Sequence, residues 1–243
     1  MNQNKNLENL VSFRKGPEAA LESYKKLGFH MEYDFFSHEE CEEIIGVGKQ
    51  LDPYREKTFC PVYNPHRINS TFLNAMRSPK LVTIMEKLIS GKVSGLQTQF
   101  FYCPPNTPGY AMHQDNSFVE ADKDSFASAW TALQDTSPEM GGLVVYPRSH
   151  MEPLLPREKI NGRQSKSQDK NATQEQVILP KGYNPIELTV PIGATVFLHA
   201  HIVHSSNDNN SNKFRYALLI TYIKEGAKFR SGNTAKREAV SLY

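Results

Sequence analysis

From Val93 onward the chain breaks into short β-rich runs: VSGLQTQFFYC, AMHQDNSFVE, SFASAWTALQD, GGLVVYP, IELTVP, ATVFLHAHIVH and FRYALLITYI, each bounded by Pro, Gly or Asn. About seven strands with turn signals between them predict an antiparallel sandwich or jelly roll. Helical signals come before these runs rather than between them, which disfavours a doubly wound parallel sheet. Pro17 stands near the start of PEAALESYKKLGF and Gly28 at its end, the residues that open and close helices. Ser37 is followed three residues later by Glu40 ahead of CEEIIGVGKQL, which reads as a capping box. Ser78-Pro79 opens a third helix, KLVTIMEKLIS, with Gly91 after it. The expectation is one mainly β domain over 1–243, with a helical part at about 1–92 and a jelly-roll core at about 93–225.

Bulk properties exclude several functions. With 39% hydrophobic and 22% charged residues the 243-residue chain is of ordinary globular composition. A net charge of +2 gives no basic stripe for nucleic acid; the patch around Lys166 and Lys170 is mixed with Gln, Ser and Asp and reads as a solvated loop. Cys41, Cys60 and Cys103 are odd in number and lack Cys-x-x-Cys spacing, so a reducing cytoplasm is expected rather than a disulfide framework. MNQNKNLENL has no signal-peptide apolar stretch. No apolar run approaches the roughly 20 residues of a membrane helix. The polar stretch from about Pro156 to Gln176 reads as a disordered loop or a functional lid.

The chemistry begins at MHQDNSF. In a regular strand His113 and Asp115 point to one face and Gln114 to the other. An imidazole and a carboxylate on one face are two-thirds of a 2-His-1-carboxylate site for Fe(II). A second histidine must come from HAHIVH. His199 and His201 share a face of a regular strand and offer a cupin-like His-x-His pair; His204 falls at the strand end. Arg215, eleven residues after His204 at the start of the next apolar run, favours His204. A hairpin would bring it alongside, where a guanidinium can clamp a carboxylate with two parallel hydrogen bonds. The alternative for Arg215 is a surface position at a strand start.

These segments together resemble the phytanoyl-CoA dioxygenase family of Fe(II)- and 2-oxoglutarate-dependent oxygenases, from about Gly28 to Ile223. LGFHMEYDFFSHEECEEII resembles the family's strand followed by a capped helix, and LQTQFFYCPPNTPGYAMHQDNSF its approach to the His-x-Asp motif. WTALQDTSPEMGGLVVYPRSH is similar to the stretch that ends in Pro-Gly-Ser-His, with Arg148 in place of that glycine. Gly193 through Arg215 matches the distal pattern.

The resemblance implies a double-stranded β-helix with iron near one open end. It implies His113, Asp115 and His204 as ligands, and Arg215, helped by Ser206, on the distal carboxylate of 2-oxoglutarate. It places Gln97 near the cosubstrate, with Gln99 on the same face as its rival, and Trp130 and Asn209 near the same pocket. Trp130 has core packing as its alternative. His199 is expected just outside the ligand set and His201 as an ordinary strand residue. The implied reaction consumes O2 and 2-oxoglutarate, releases succinate and carbon dioxide, and oxidises a substrate carbon. Related halogenases carry a small residue in place of the carboxylate, so Asp115 argues for hydroxylation, desaturation or ring closure. A small polar metabolite or natural-product intermediate is expected as substrate, with the 156–176 loop, the Tyr54–Asn69 region and the Pro104–Tyr110 turn as specificity elements. A non-catalytic jelly-roll binding protein and a cupin-type metalloenzyme built on His199 and His201 are the competing readings.

Overall fold

Local signals set the ends of the helices. α1 (Pro17–Leu27) starts on Pro17 and stops at Gly28, whose φ of 83° lets its N–H return to the Tyr24 carbonyl. A side chain at Gly28 would also strike the His150 ring. β1 (Phe29–Glu32) follows at once. α2 (His38–Gln50) carries the capping box, with the Ser37 hydroxyl on the Glu40 N–H and the Glu40 carboxylate on the Ser37 N–H. After β2 (Val62–Tyr63), α3 (Ser70–Met76) is capped by Asn69, and α4 (Pro79–Ile89) starts on its proline. α4 buries Leu81, Val82, Ile84, Met85, Leu88 and Ile89. At about 1.5–3 kcal/mol for each such side chain, against about 1 kcal/mol for a cap, packing rather than capping holds it.

The computed structural model describes residues 11–51, 61–160 and 175–243. Its remaining elements are β3 (Val93–Cys103), α5 (Asn116–Val119), β4 (Phe126–Ala132), β5 (Leu143–Val145), β6 (Arg157–Lys159), β7 (Glu175–Val177), β8 (Ile186–Glu187), β9 (Thr195–His199), β10 (His204–Ser206) and β11 (Arg215–Lys224). Six strands form one antiparallel sheet in the order β1-β9-β4-β11-β3-β2, and three form a second in the order β10-β5-β8. This is the expected jelly roll, mostly β with flanking helices. Residues 1–92, read as helical, also supply β1 and β2, the two edges of the larger sheet.

The larger sheet is buried on both faces. Phe100, Tyr102, Leu218, Ile220 and Tyr222 pack against the helices, while Phe101, Cys103, Ala217 and Leu219 join Trp130, Leu143 and Val145 between the sheets. Strands buried on both faces read as continuous apolar runs, which is why β3 and β11 are plain in the sequence. The same alternation puts Arg215, Leu219 and Thr221 on the inner face of β11 and Gln97 and Gln99 on that of β3.

Two expected strands differ. AMHQDNSFVE contains no strand: His113 makes one isolated bridge, and α5 begins right after Asp115. The Asn116 amide closes this turn on itself, its oxygen accepting from the Ala121 N–H and its nitrogen donating to the Ala121 carbonyl, a local bond that competes with a ladder. ATVFLHAHIVH is two strands in different sheets, β9 and β10. Between them the His201 N–H donates to Nδ1 of His199, and the Ile202 N–H to the His199 carbonyl. In the expected 156–176 loop, β6 pairs with β7 as a hairpin stem; residues 161–174 lie outside the described residues, as do 54–60 of the Tyr54–Asn69 region, Cys60 among them.

Candidate metal centre and its cavity

His113 and His204 are brought together by backbone. Each donates its N–H to the other's carbonyl, at 2.9 and 3.0 Å, and their ring centroids lie 4.2 Å apart. Asp115 comes from the start of α5, so the shared face has a different origin from the strand alternation that suggested it. Its Oδ1 is 3.5 Å from Nε2 of His113 and 3.6 Å from Nε2 of His204. One ligand atom from each of the three residues lies within 4.8 Å of the others, and among the described residues no other group of His, Cys, Asp and Glu is so arranged.

The atoms behind the trio fix its chemistry. Nδ1 of His113 is 2.7 Å from the Ala111 carbonyl, and Nδ1 of His204 is 3.1 Å from the Ile202 carbonyl. A carbonyl only accepts, so both Nδ1 atoms carry hydrogen, and the neutral form of either ring presents its Nε2 lone pair to the centre. Burial lowers the His204 pKa to about 4, with His113 adding to the effect. Burial would raise the Asp115 carboxyl, but His204, His113 and the Ser128 hydroxyl overcome it and hold the group well below the usual carboxylate range. Ser128 donates to the outer oxygen, Oδ2, at 2.7 Å and leaves Oδ1 to the centre. Gln114, between the two ligands, is fully buried: its amide nitrogen donates to the His201 and Pro153 carbonyls and its oxygen accepts from the Leu155 N–H. It ties this segment to the turn that precedes His204.

A cavity of about 490 Å³ opens from the trio. Arg215 lines it and is buried, but not on a hairpin with His204: β10 belongs to the smaller sheet and β11 to the larger, so the two residues come from opposite walls. Nη1 of Arg215 donates to the Gly141 carbonyl at 2.5 Å and Nη2 to Sγ of Cys103 at 2.6 Å, while the buried Nε has no partner among the described residues. Of five N–H donors, three are left for a ligand. Ser206 lines the same cavity, its oxygen accepting from the Tyr110 N–H, so its hydroxyl hydrogen is free to donate. Gln97, Gln99 and Trp130 line it too, and Trp130 is also part of the core between the sheets. Asn209 does not line the cavity. Its amide nitrogen binds the carbonyls of Cys103, Pro104 and Lys213, and its oxygen accepts from Ser211, so it organises the turn that leads into Arg215.

His199 and His201 are occupied elsewhere. Nε2 of His199 pairs with Asp124 at 3.1 Å and its Nδ1 accepts from the His201 N–H; His201 receives the Asn116 amide. Neither lines the cavity, which removes the geometric basis for a His-x-His centre. His199 packs against His150, which is held by the Lys25 carbonyl. Arg148, in place of the motif's glycine, has a φ of 71°, a conformation glycine adopts without cost.

Burial lowers the pKa of His66, outside the trio, to about 4, with Arg67 adding to the effect; burial does the same for His199, against the opposing Asp124. A depressed folded-state pKa means stability that is full above the unfolded value of about 6.5 and lost as pH falls through 4. Metal-free protein is therefore expected to be about 4 kcal/mol less stable at pH 5 than at pH 7.5, about 2 kcal/mol from each ring, measured by urea unfolding; equal stabilities would show that these rings are protonated in the fold at pH 5.

Sequence reasoning missed Ser128, which shares a strand face with Trp130, and the segment from Arg230 to Arg237, which lines the cavity from beyond the last strand. Strand period two from Trp130 identifies Ser128; the C-terminal segment has no periodic signal.

Residues 24–217 match the family model for phytanoyl-CoA dioxygenase (PhyH). A phytanoyl-CoA dioxygenase of Arabidopsis thaliana is 26% identical over 219 residues, covering 89% of this chain and 72% of its own. A probable alpha-ketoglutarate-dependent hypophosphite dioxygenase of Stutzerimonas stutzeri is 24% identical over 221 residues, covering 82% and 76%. Among solved structures, the non-heme alpha ketoglutarate dependent epimerase SnoN from nogalamycin biosynthesis superposes with a TM-score of 0.72 at 18% identity, over 94% of this chain and 87% of that one.

Proposed function

The chain belongs to the phytanoyl-CoA dioxygenase family, and from that premise we propose that it is an Fe(II)- and 2-oxoglutarate-dependent oxygenase that hydroxylates a carbon of a small-molecule metabolite or natural-product intermediate. The observation that carries this reading is the donor set: two imidazoles held by their Nδ1 atoms with Nε2 turned to the centre, and one carboxylate, converging within 4.8 Å at the wall of a cavity. Two nitrogens and one oxygen on one side of a centre, with the other side open, suit non-haem Fe(II). Bound there with 2-oxoglutarate and O2, iron supplies the oxidising chemistry, with succinate and carbon dioxide as co-products.

The chain's own part is to bind and orient. His113, Asp115 and His204 hold the metal, and the Ala111 and Ile202 carbonyls keep both imidazoles in the ligating tautomer. Arg215, with three free donors in an apolar wall, takes the distal carboxylate of 2-oxoglutarate, and Ser206 donates to it from the opposite sheet. Phe101, Trp130 and Leu219 line the same space and keep water from the reacting carbon. The epimerase of similar fold shows that this architecture accommodates other outcomes. Asp115, which fills the carboxylate position, argues against halogenation and leaves hydroxylation, desaturation and ring closure, of which hydroxylation is the reading adopted.

Purified protein with Fe(II), 2-oxoglutarate and a metabolite pool is expected to form succinate, dependent on both additions and raised by part of the pool. No succinate, together with no binding of Fe(II) or 2-oxoglutarate, would leave a jelly-roll binding protein as the better description.

A further inference from the structure

The cavity has a second cationic end. Arg215 stands opposite Cys103 in the β11–β3 ladder, and Thr221 stands opposite Gln97. Six residues along antiparallel strands separate the two positions by roughly 20 Å. At the Gln97 end, Gly232, Asn233, Thr234 and Ala235 of the C-terminal segment line the cavity. Asn64 and Arg67 hold this segment through the Ala235 and Lys236 carbonyls, and Arg230 pairs with Glu120 at 3.0 Å. It lies beyond the stretch that matches the family model.

Arg237 is the residue that this segment brings to the cavity. Its Nη1 is spent on the carbonyls of Phe118, Arg230 and Ser231, and its Nε donates to Oε1 of Gln97 at 3.1 Å. Its Nη2 makes no hydrogen bond among the described residues. Arg67, Arg157 and Arg230 have carboxylate partners, whereas Arg237 has none among the described residues. Burial lowers the Arg237 pKa, with the attraction of Asp115 opposing this and the Arg230 cation adding to it, so the guanidinium is within electrostatic reach of the trio. Gln97 completes the arrangement. Because its oxygen must accept from Arg237, its amide nitrogen is fixed as the free end, and that nitrogen is buried without a partner among the described residues. A buried amide donor left unpaired costs about 1–3 kcal/mol. Two unpaired donors, one of them cationic, flank one hydrogen bond at a cavity wall. A group with two acceptor oxygens and negative charge satisfies both at once.

We propose that this end of the cavity anchors the substrate, with Arg237 and the Gln97 amide holding a carboxylate or phosphate that the substrate carries. The carbon to be oxidised then lies at the trio. This rests on the reading that Arg215 holds 2-oxoglutarate, and the separation along the strands keeps one cosubstrate molecule from serving both ends. Gln97 becomes a substrate residue, and Gln99, closer to Arg215 along the strand, becomes the glutamine nearer the cosubstrate. The substrate class is a small organic oxyanion with its reactive carbon at some distance from the charged group.

The test is calorimetric titration, under nitrogen, of protein loaded with Fe(II) and 2-oxoglutarate. The probes are benzoate, hexanoate and phenyl phosphate, with benzamide and hexanamide as uncharged counterparts. At least one acid is expected to bind about tenfold or more tighter than the amides. The tighter of benzoate and phenyl phosphate identifies the oxyanion. Arg237→Gln is expected to weaken that acid about tenfold or more while leaving 2-oxoglutarate affinity within about threefold, and Gln97→Leu to weaken it severalfold. Thermal unfolding checks that both variants are folded, and Gln97→Leu, which leaves the C-terminal segment's carbonyl contacts intact, serves if Arg237→Gln is not. Amides binding as well as acids, no acid binding at millimolar concentration, an unaffected Arg237→Gln, or loss of 2-oxoglutarate binding in that variant would each overturn the proposal. Should Fe(II) and 2-oxoglutarate fail to load, the functional reading fails separately. Acid binding by metal-free protein that survives Arg215→Gln but not Arg237→Gln would still establish the anchoring site.

Discussion

Replacing Asp115 with alanine is expected to weaken Fe(II) binding by more than about a hundredfold and to abolish succinate formation. Loss of a residue that merely orients a ligand costs about 10–100-fold in metal affinity or activity, and Asp115 is the trio's only anionic donor. Its Oδ1 faces both Nε2 atoms at 3.5 and 3.6 Å, and among the described residues no other carboxylate joins the two histidines. The two histidines should stay where they are, because paired backbone hydrogen bonds hold them and Asp115 takes no part in these. The variant should fold, and circular dichroism should match wild type. Fe(II) titration by competition with a coloured chelator, run beside the succinate assay, reads the effect. Metal affinity within tenfold of wild type would mean that another carboxylate completes the site.

The sequence made the composition of this site legible and concealed its geometry. His113, Asp115, His204 and Arg215 stand out as residue types in a particular order, and β3 and β11 announce themselves because both faces are buried. The strand argument for His113 and Asp115 reached a pair that the fold does bring together, by a route that the fold does not take. There the chain leaves its bridge at His113 and turns into α5, a turn closed by Asn116 contacts with Ala121 that leave no periodic trace. HAHIVH reads as one strand because nothing in it punctuates; the crossing from one sheet to the other is secured by the His199 side chain and by Gln114, a residue distant in sequence. The segment from Arg230 to Arg237 is the extreme case. Its place at the cavity depends on arginine side chains reaching the carbonyls of Ser117 and Phe118, and carbonyls are present at every residue. Such contacts carry no pattern by which the sequence alone could reveal them.

Arg215→Gln is expected to raise the KM for 2-oxoglutarate by about a hundredfold while leaving Fe(II) affinity close to wild type. Truncating one partner of a buried, hydrogen-bonded charge pair costs about 2–5 kcal/mol, and about 3 kcal/mol corresponds to that factor. Two of the five guanidinium donors are engaged with Gly141 and Cys103, so the guanidinium is held in place before any ligand arrives. That preorganisation reduces the entropy lost on binding, and it is why Arg215→Lys, which keeps the charge but not the planar fork, should recover only part of the loss. Glutamine retains an N–H to offer the Gly141 carbonyl, so the substitution tests charge and fork rather than folding. Arg215 sits on the larger sheet, across the cavity from His204 on the smaller one. Removing its charge should therefore separate cosubstrate affinity from metal affinity. A KM within about threefold of wild type would remove Arg215 from its role and return 2-oxoglutarate to another donor of the cavity, while a parallel loss of Fe(II) would show that the arginine supports the trio itself.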